Sequence, residues 1–213
     1  MKSSVIAVVC ILGWLSGCAV QPAKTDLSAF HTYKPRSILV VPVLNDTTEI
    51  SASPVFVSTI TRPLAERGYY VFPVYLTELV LRDFGLAEAG HIHQLDTQRL
   101  YELFGADAAL FITIKDWSSK YILLASTVTV EMDYVLKDTR TGTTLWQATE
   151  QVSQGSGDAG GGLIGMAIAA AMNAMVTDYQ PLARQANSQV FLPPKGLPAG
   201  PYHEEYGRDQ EKF

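Results

Sequence analysis

The sequence predicts an α/β (α+β) fold: a mixed β-sheet of about five strands, starting β-α-β, ending in an antiparallel hairpin, and flanked by helices. Two observations carry this. First, the apolar runs Ile38–Leu44 and Tyr69–Val74 bracket a stretch with Ser53-Pro54 near its start and Gly68 at its end. Two strands around a helix pair in parallel, because parallel neighbours need a long crossover. Second, Thr127–Leu136 and Thr143–Val152 flank the turn-rich Lys137-Asp138-Thr139-Arg140-Thr141-Gly142. Within the first of these, Val128, Val130, Met132 and Tyr134 alternate with Thr129, Glu131 and Asp133, the period of a strand with one buried face. The turn chemistry between them makes a hairpin.

The elements follow in order. Ile38–Leu44 is a continuous β-branched run, the pattern of a strand buried on both faces. Asn45-Asp46-Thr47-Thr48 breaks it as a polar loop. Ser53 caps a helix with Pro54 in its first turn, running to about Arg67 with a kink expected at Pro63. Tyr69–Val74 is the second strand, with Tyr69, Tyr70, Phe72 and Tyr75 at the core or its rim. Thr77–Ala87 reads as a short helix, His91–Asp96 as a connection, and Gln98–Phe104 as a helix capped by Asp96 or Thr97 and ended by Gly105. Ala108–Lys115 is a third strand, followed by the hairpin.

A last helix is expected from Gly161 to about Gln189. Ile164, Ile168, Met172, Met175 and Tyr179 form an apolar stripe, and Gly161, Gly165 and Ala169 form a row of small residues every fourth position. The uncharged run 161–176 falls short of the roughly 20 residues a membrane span needs, and Asp178 and Arg184 follow it. It is expected to pack on the sheet or on a partner protein, with membrane insertion after oligomerisation as the alternative, and its small-residue row allows a homo-oligomer. Pro193-Pro194, Pro198 and Gly200-Pro201 oppose regular structure, so residues 191–213 are expected as an extended Pro-rich tail.

The amino terminus reads MKSSVIAVVCILGWLSGC. Lys2 precedes an apolar stretch, Val5–Leu15, of signal-peptide length. Leu15-Ser16-Gly17-Cys18 resembles the lipobox of bacterial lipoproteins, in which the cysteine thiol receives diacylglycerol. The expected organisation is a signal peptide at 1–17, a lipidated tether at 18–36, a single α/β domain at 37–190 and the tail. Two or three acyl chains, palmitate among them, hold firmly where one would not. Ala19 and Val20 lack the Asp that retains lipoproteins in the inner membrane, so the expectation is an outer-membrane anchor facing the periplasm.

Composition narrows the functional classes. The chain carries 16 Lys and Arg against 21 Asp and Glu, and loss of Lys2 with the signal peptide makes it more acidic still. With no basic stripe, the acidic chain argues against nucleic acid as a partner. Of the two cysteines, Cys10 leaves with the signal peptide and Cys18 is acylated, so no disulfide forms within the mature monomer.

Chemical motifs are few. Gly155-Ser156-Gly157-Asp158-Ala159-Gly160 matches G-x-G-x-x-G after a strand, but no parallel strand follows to complete a dinucleotide unit. His91 and His93 would share one side of an extended backbone near Glu88 and Asp96, a weak metal candidate. No Ser-His-Asp arrangement stands out by spacing. Neither a catalytic group nor a cofactor is expected.

The segments SILVVPVLNDTT, LAERGYYVFPV, LFGADAALFITI and GPYH, after the LSGC lipobox, resemble a family of bacterial lipoproteins of unknown function that includes a meningococcal surface-antigen candidate. The order of elements also resembles the periplasmic domains of curli-secretion-type lipoproteins and the amino-terminal domain of the Tol system's propeller protein. In particular, Gly105–Leu110 resembles their helix-to-strand joint. The resemblance implies a non-enzymatic accessory in envelope assembly, secretion or transport. Its partners would be the membrane and envelope proteins, a secretion-channel-type lipoprotein among them. The alternative is a small-ligand or metal-binding lipoprotein using the loops Asn45–Thr48 and His91–His93.

Overall fold

The computed structural model describes residues 26–122, 125–155 and 179–213. Its elements are α1 (Ser28–Tyr33), β1 (Ser37–Val40), β2 (Leu44–Asn45), α2 (Ala52–Glu66), β3 (Tyr70–Val71), α3 (Val74–Asp83) and α4 (Ala89–Ile92). They continue with α5 (Thr97–Phe104), β4 (Ala108–Ile122), β5 (Ala125–Asp138), β6 (Thr144–Gly155), α6 (Gln180–Val190) and a 3-10 turn at Gln210–Lys212. The sheet runs β3-β1-β4-β5-β6, with β2 beside β4. β1 pairs in parallel with β3 and β4, and β4, β5 and β6 are antiparallel. The mixed sheet thus has six strands and is flanked by helices.

The first strand is interrupted where a continuous one was expected. Pro42 has no N–H to give a ladder, so regular pairing stops at Val40 and resumes at Leu44. Val41 N–H still donates to Leu110 O at 3.2 Å. The second strand shrinks to Tyr70–Val71 because Pro73 leads directly into α3. The connection expected at His91–Asp96 is partly the short helix α4. The cap expected for α5 forms: Asp96 Oδ1 accepts from Gln98 N–H at 3.0 Å, and Gly105 ends the helix at φ +65°.

Two apolar layers flank the sheet. On one face, Phe56, Ile60 and Leu64 of α2 and Leu182, Ala186 and Val190 of α6 recur at the four-residue spacing of a helical stripe. They pack on Ile38, Leu110, Ile112, Val130 and Tyr134. Each large side chain removed from water here contributes roughly 1.5–3 kcal/mol. Tyr134 Oη donates to Asn187 Oδ1 at 2.8 Å, and Asn187 Nδ2 donates to Thr59 Oγ1 at 2.8 Å. This satisfied relay ties β5, α6 and α2 together. On the other face, Leu81, Ile92 and Leu100 of α3, α4 and α5 pack on Leu39, Val41, Ala109 and Phe111.

Both ends of the domain extend beyond the expected 37–190. Residues from Leu27 onward were expected in the tether, but Leu27 and Phe30 are buried in the core, and α1 begins where Asp26 Oδ1 accepts from Ser28 N–H. The carboxy-terminal residues are docked, correcting the expectation of a free extended tail. Phe191, Leu197 and Ala199 are buried. Arg67 donates from Nη2 to Asp209 Oδ2 at 2.9 Å, with side chains 9% and 1% exposed. Arg67 also donates to Leu197 O, Ala199 N–H donates to Asp209 Oδ2, and Tyr69 Oη donates to Pro198 O.

Glycine permits the approach. Gly68 lies at φ +83° with His203 against it, and a Cβ on Gly200 would stand 2.4 Å from Gly68 O. The prolines suppress regular structure in this segment but leave its apolar and charged side chains free to pack.

Candidate interaction face

β4, β5 and β6 form a long antiparallel ribbon. Its inner face belongs to the core. On its outer face, the buried cluster of α3, α4 and α5 stops at Phe111 and the partly buried Val135. Beyond them lie Thr129, Glu131 and Asp133 on β5, paired with Ser153, Gln151 and Thr149 on β6. Each pair is hydrogen-bonded across the strands. The Thr129 and Ser153 hydroxyls are 3.0 Å apart, Gln151 Nε2 donates to Glu131 Oε2 at 3.0 Å, and Thr149 Oγ1 donates to Asp133 Oδ1 at 2.5 Å. Cross-strand pairs of this kind fix side-chain positions on a solvated sheet.

The same face is acidic. Asp116 of β4 sits directly opposite Glu131, next to the register shift between Ile114 and Asp116. Lys115 at that shift reaches Asp46 at 2.7 Å. Its ammonium is held above the usual lysine range, first by the hydrogen bond to Asp46 and then by the charge of Asp46, with Asp133 and Glu131 adding to it. The result is a surface of fixed donors and carboxylates. It suits polar recognition of another surface.

The residues singled out from sequence are distributed as follows. Leu15, Ser16, Gly17 and Cys18 lie outside the described residues, as do Gly161, Gly165 and Ala169. His91 and His93 do not converge. Helical backbone at α4 sets positions two apart on roughly opposite sides, at ~100° per residue. His91 is exposed and 3.6 Å from Glu88. His93 Nε2 lies 3.0 Å from Pro42 O, and its ring packs edge-on against Phe111. Burial lowers the His93 pKa, and the Pro42 contact opposes that. Among the described residues no group of three His, Cys, Asp or Glu is arranged to hold a metal ion.

Asn45 is also occupied internally. Its Oδ1 accepts from Thr47 N–H and Oγ1, and its Nδ2 donates to Glu49 O at 2.8 Å. The Gly155 motif begins at the last residue of β6, which is antiparallel to β5, and its remaining residues lie outside the described ones.

The Gly105–Leu110 joint is a staple. Asp107 Oδ2 accepts from Arg36 N–H, Ser37 N–H and Ser37 Oγ, and Thr139 Oγ1 donates to Ala106 O. A cleft of about 140 Å³ between α1 and the carboxy-terminal segment is lined by Lys34, Tyr69, Tyr206 and Gln210, among others. It falls below the ~300–1,000 Å³ of ordinary ligand pockets, whereas open hollows of about 440 and 490 Å³ lie beside Asp133, Gln147 and Thr149 and beside Asp26, Thr144 and Gln147. Sequence reading missed Arg67, Asp209 and this cleft.

Residues 25–201 match the family described as "Putative lipoprotein GNA1162-like", and the chain belongs to that family. It is 36% identical over 174 residues to the protein described as "Putative lipoprotein NMB1124/NMB1162" of Neisseria meningitidis serogroup B, covering 81% of this chain and 80% of that one. The crystal structure of lipoprotein GNA1162 from Neisseria meningitidis is similar, with a TM-score of 0.57 and 35% identity over 66% of this chain and 98% of that chain. The family points to a membrane-anchored place in the cell envelope, and its name carries no reaction.

Proposed function

We propose that this protein is a non-enzymatic accessory of envelope assembly, secretion or transport. It is anchored by acylated Cys18 to the outer membrane, on the periplasmic side, and it presents the outer face of the β4–β6 ribbon to envelope proteins. The observation that carries this reading is the ribbon face itself: its β5 and β6 outer side chains are ordered by cross-strand hydrogen bonds, and no apolar layer formed by the described residues lies over them. Ordering these side chains in advance lowers the entropy cost of binding. The internally closed Asn45 loop and the diverging histidines favour this reading over a small-ligand or metal-binding protein. The small-residue row at Gly161, Gly165 and Ala169 adds self-association to the proposal.

The experiment is photocrosslinking in cells. A photoreactive residue at Gln151 or Ser153 is expected to yield discrete adducts with another envelope protein. The same residue at Arg62, exposed on α2 on the opposite side, is expected to yield none. Adducts at Arg62 alone would sink the ribbon assignment. Fatty-acid labelling is expected to mark the wild type and miss Cys18→Ser, and equal labelling of both would reject the anchor.

A further inference from the structure

We propose that the end of the domain from which the tether leaves rests on the bilayer interface, through an aromatic surface formed by Tyr33, Tyr202 and Tyr206 with Lys34. This rests on the proposed acylation of Cys18. The sheet has a defined tether end. β1, β4 and β6 begin there and β5 ends there, as the pairs Ile38 with Ala108, Ala108 with Asp138 and Lys137 with Thr144 require. Asp26 lines one open cavity with Thr144, Leu145, Trp146 and Gln147 at the start of β6, so the tether departs near this same end. Residues 19–25 join Cys18 to Asp26 and reach at most about 28 Å when fully extended. The anchored bilayer is therefore held close to this end. Ser153 pairs with Thr129, nine positions along β5 from Asp138, and so stands about 30 Å away at ~3.4 Å per residue.

The chemistry of the tether end fits a headgroup layer. Tyr33, Tyr202 and Tyr206 are 39%, 66% and 48% exposed. Tyrosine has an apolar ring and a polar tip, and it concentrates where membrane meets water. Docking of the carboxy-terminal segment delivers two of the three: Tyr202 N–H donates to Gly68 O, and Tyr206 N–H donates to His203 O. Tyr206 and Lys34 line the same cleft, and an exposed lysine extends its ammonium to phosphate while its stem lies along the rings. Acidic residues also sit here. Glu205 is paired with Lys212 at 2.6 Å, and Glu204 and Glu211 lie in the same segment. The contact is accordingly interfacial and weakly dependent on salt.

The test uses the full acylated protein on vesicles of phosphatidylethanolamine and phosphatidylglycerol. Cys18 has its thiol blocked by acylation, so one introduced cysteine is the sole free thiol and takes an environment-sensitive fluorophore. At Tyr202→Cys, Tyr206→Cys and, on α1, Tyr33→Cys, emission is expected to shift to the blue and to be quenched by lipids spin-labelled near the headgroup. At Ser153→Cys neither is expected. The Tyr33 position does not depend on docking of the carboxy-terminal segment, so it reads the same surface if a variant there loosens that segment. Equal quenching at all four positions, or more at Ser153, would overturn the proposed surface. Co-flotation without quenching at the tyrosine positions overturns the surface alone. Failure to co-float overturns the acylation and the surface together.

Discussion

The two halves of the sheet obey opposite rules. Around β1, both faces are covered: Ile38 and Val40 point into one layer, and Leu39 and Val41 into the other. Every position must be apolar, so nothing there remains for recognition. In the ribbon, Val128, Val130, Met132 and Tyr134 are core, while Thr129, Glu131 and Asp133 meet solvent. A strand buried on one side only has every second position at its disposal. The covered half thus commits every position to packing, and the ribbon leaves every second position outside the core, where the proposed recognition would take place.

The largest expected effect tests the covered half. Asp209→Ala leaves Arg67 buried beside α2 and β3 without its carboxylate, and it removes the acceptor for Ala199 N–H. Breaking a buried ion pair from one side costs about 3–5 kcal/mol. Denaturant unfolding is the measurement, and a loss below about 1 kcal/mol, the level of exposed pairs, would mean the carboxy-terminal segment does not belong to the cooperative unit. Next comes Tyr134→Phe, at the seam between the halves. It strips Asn187 Oδ1 of its donor in a buried site, at a cost of about 1–3 kcal/mol. No change in unfolding midpoint would show that the relay is not formed.

The ribbon is expected to respond the other way. Replacing Thr149 and Gln151 together by Ala removes two cross-strand hydrogen bonds on an exposed face. Stability is expected to change by no more than about 0.5 kcal/mol per site. Crosslinking from Ser153 in cells is nevertheless expected to fall severalfold. If stability falls steeply and crosslinking persists, the division of labour between the halves is wrong.

Periodicity made the ribbon and the parallel start legible, because burial on one or two faces writes a period of two or a continuous apolar run. The α5 cap was legible because Asp96 and Gly105 act on neighbouring backbone. The docked carboxy terminus was not. Arg67 and Asp209 are 142 positions apart, and nothing local to either announces the other. Proline density pointed correctly to irregular backbone there, but irregular backbone packs well when side chains such as Phe191 and Leu197 find a cavity. Leu27 and Phe30 were passed over because a six-residue helix has too few positions to show a stripe. The histidine pair misled because an extended backbone was assumed where α4 forms. The outer face of the ribbon was visible as polar residues in alternation, but which part of it the described helices leave uncovered depends on where α3, α4 and α5 stop.

The smallest expected effect separates the halves by pH. His93, under the covered half, is held below its ordinary 6.5, chiefly by burial, with the Pro42 contact opposing. Glu150, on the core-facing side of the edge strand β6, is held above its ordinary 4.5, again chiefly by burial, with Lys195 opposing. Both sites favour the neutral form, and the signs therefore differ. The histidine's folded value lies below its unfolded one, so its contribution is present above the ordinary value and is lost as pH falls through the depressed one. The carboxyl's folded value lies above its unfolded one, so its contribution is complete below the ordinary value and is lost as pH rises through the raised one. Unfolding midpoints measured across this range are expected to show His93→Gln flattening the acid side of the profile. Glu150→Gln is expected to raise the midpoint near neutrality and leave the most acidic points unchanged. A neutral-pH midpoint unmoved by Glu150→Gln would mean that the inner face of the β6 edge is as well hydrated as the ribbon's outer face. The ribbon would then be open on both sides at that edge, and the contrast between the halves would begin at β5.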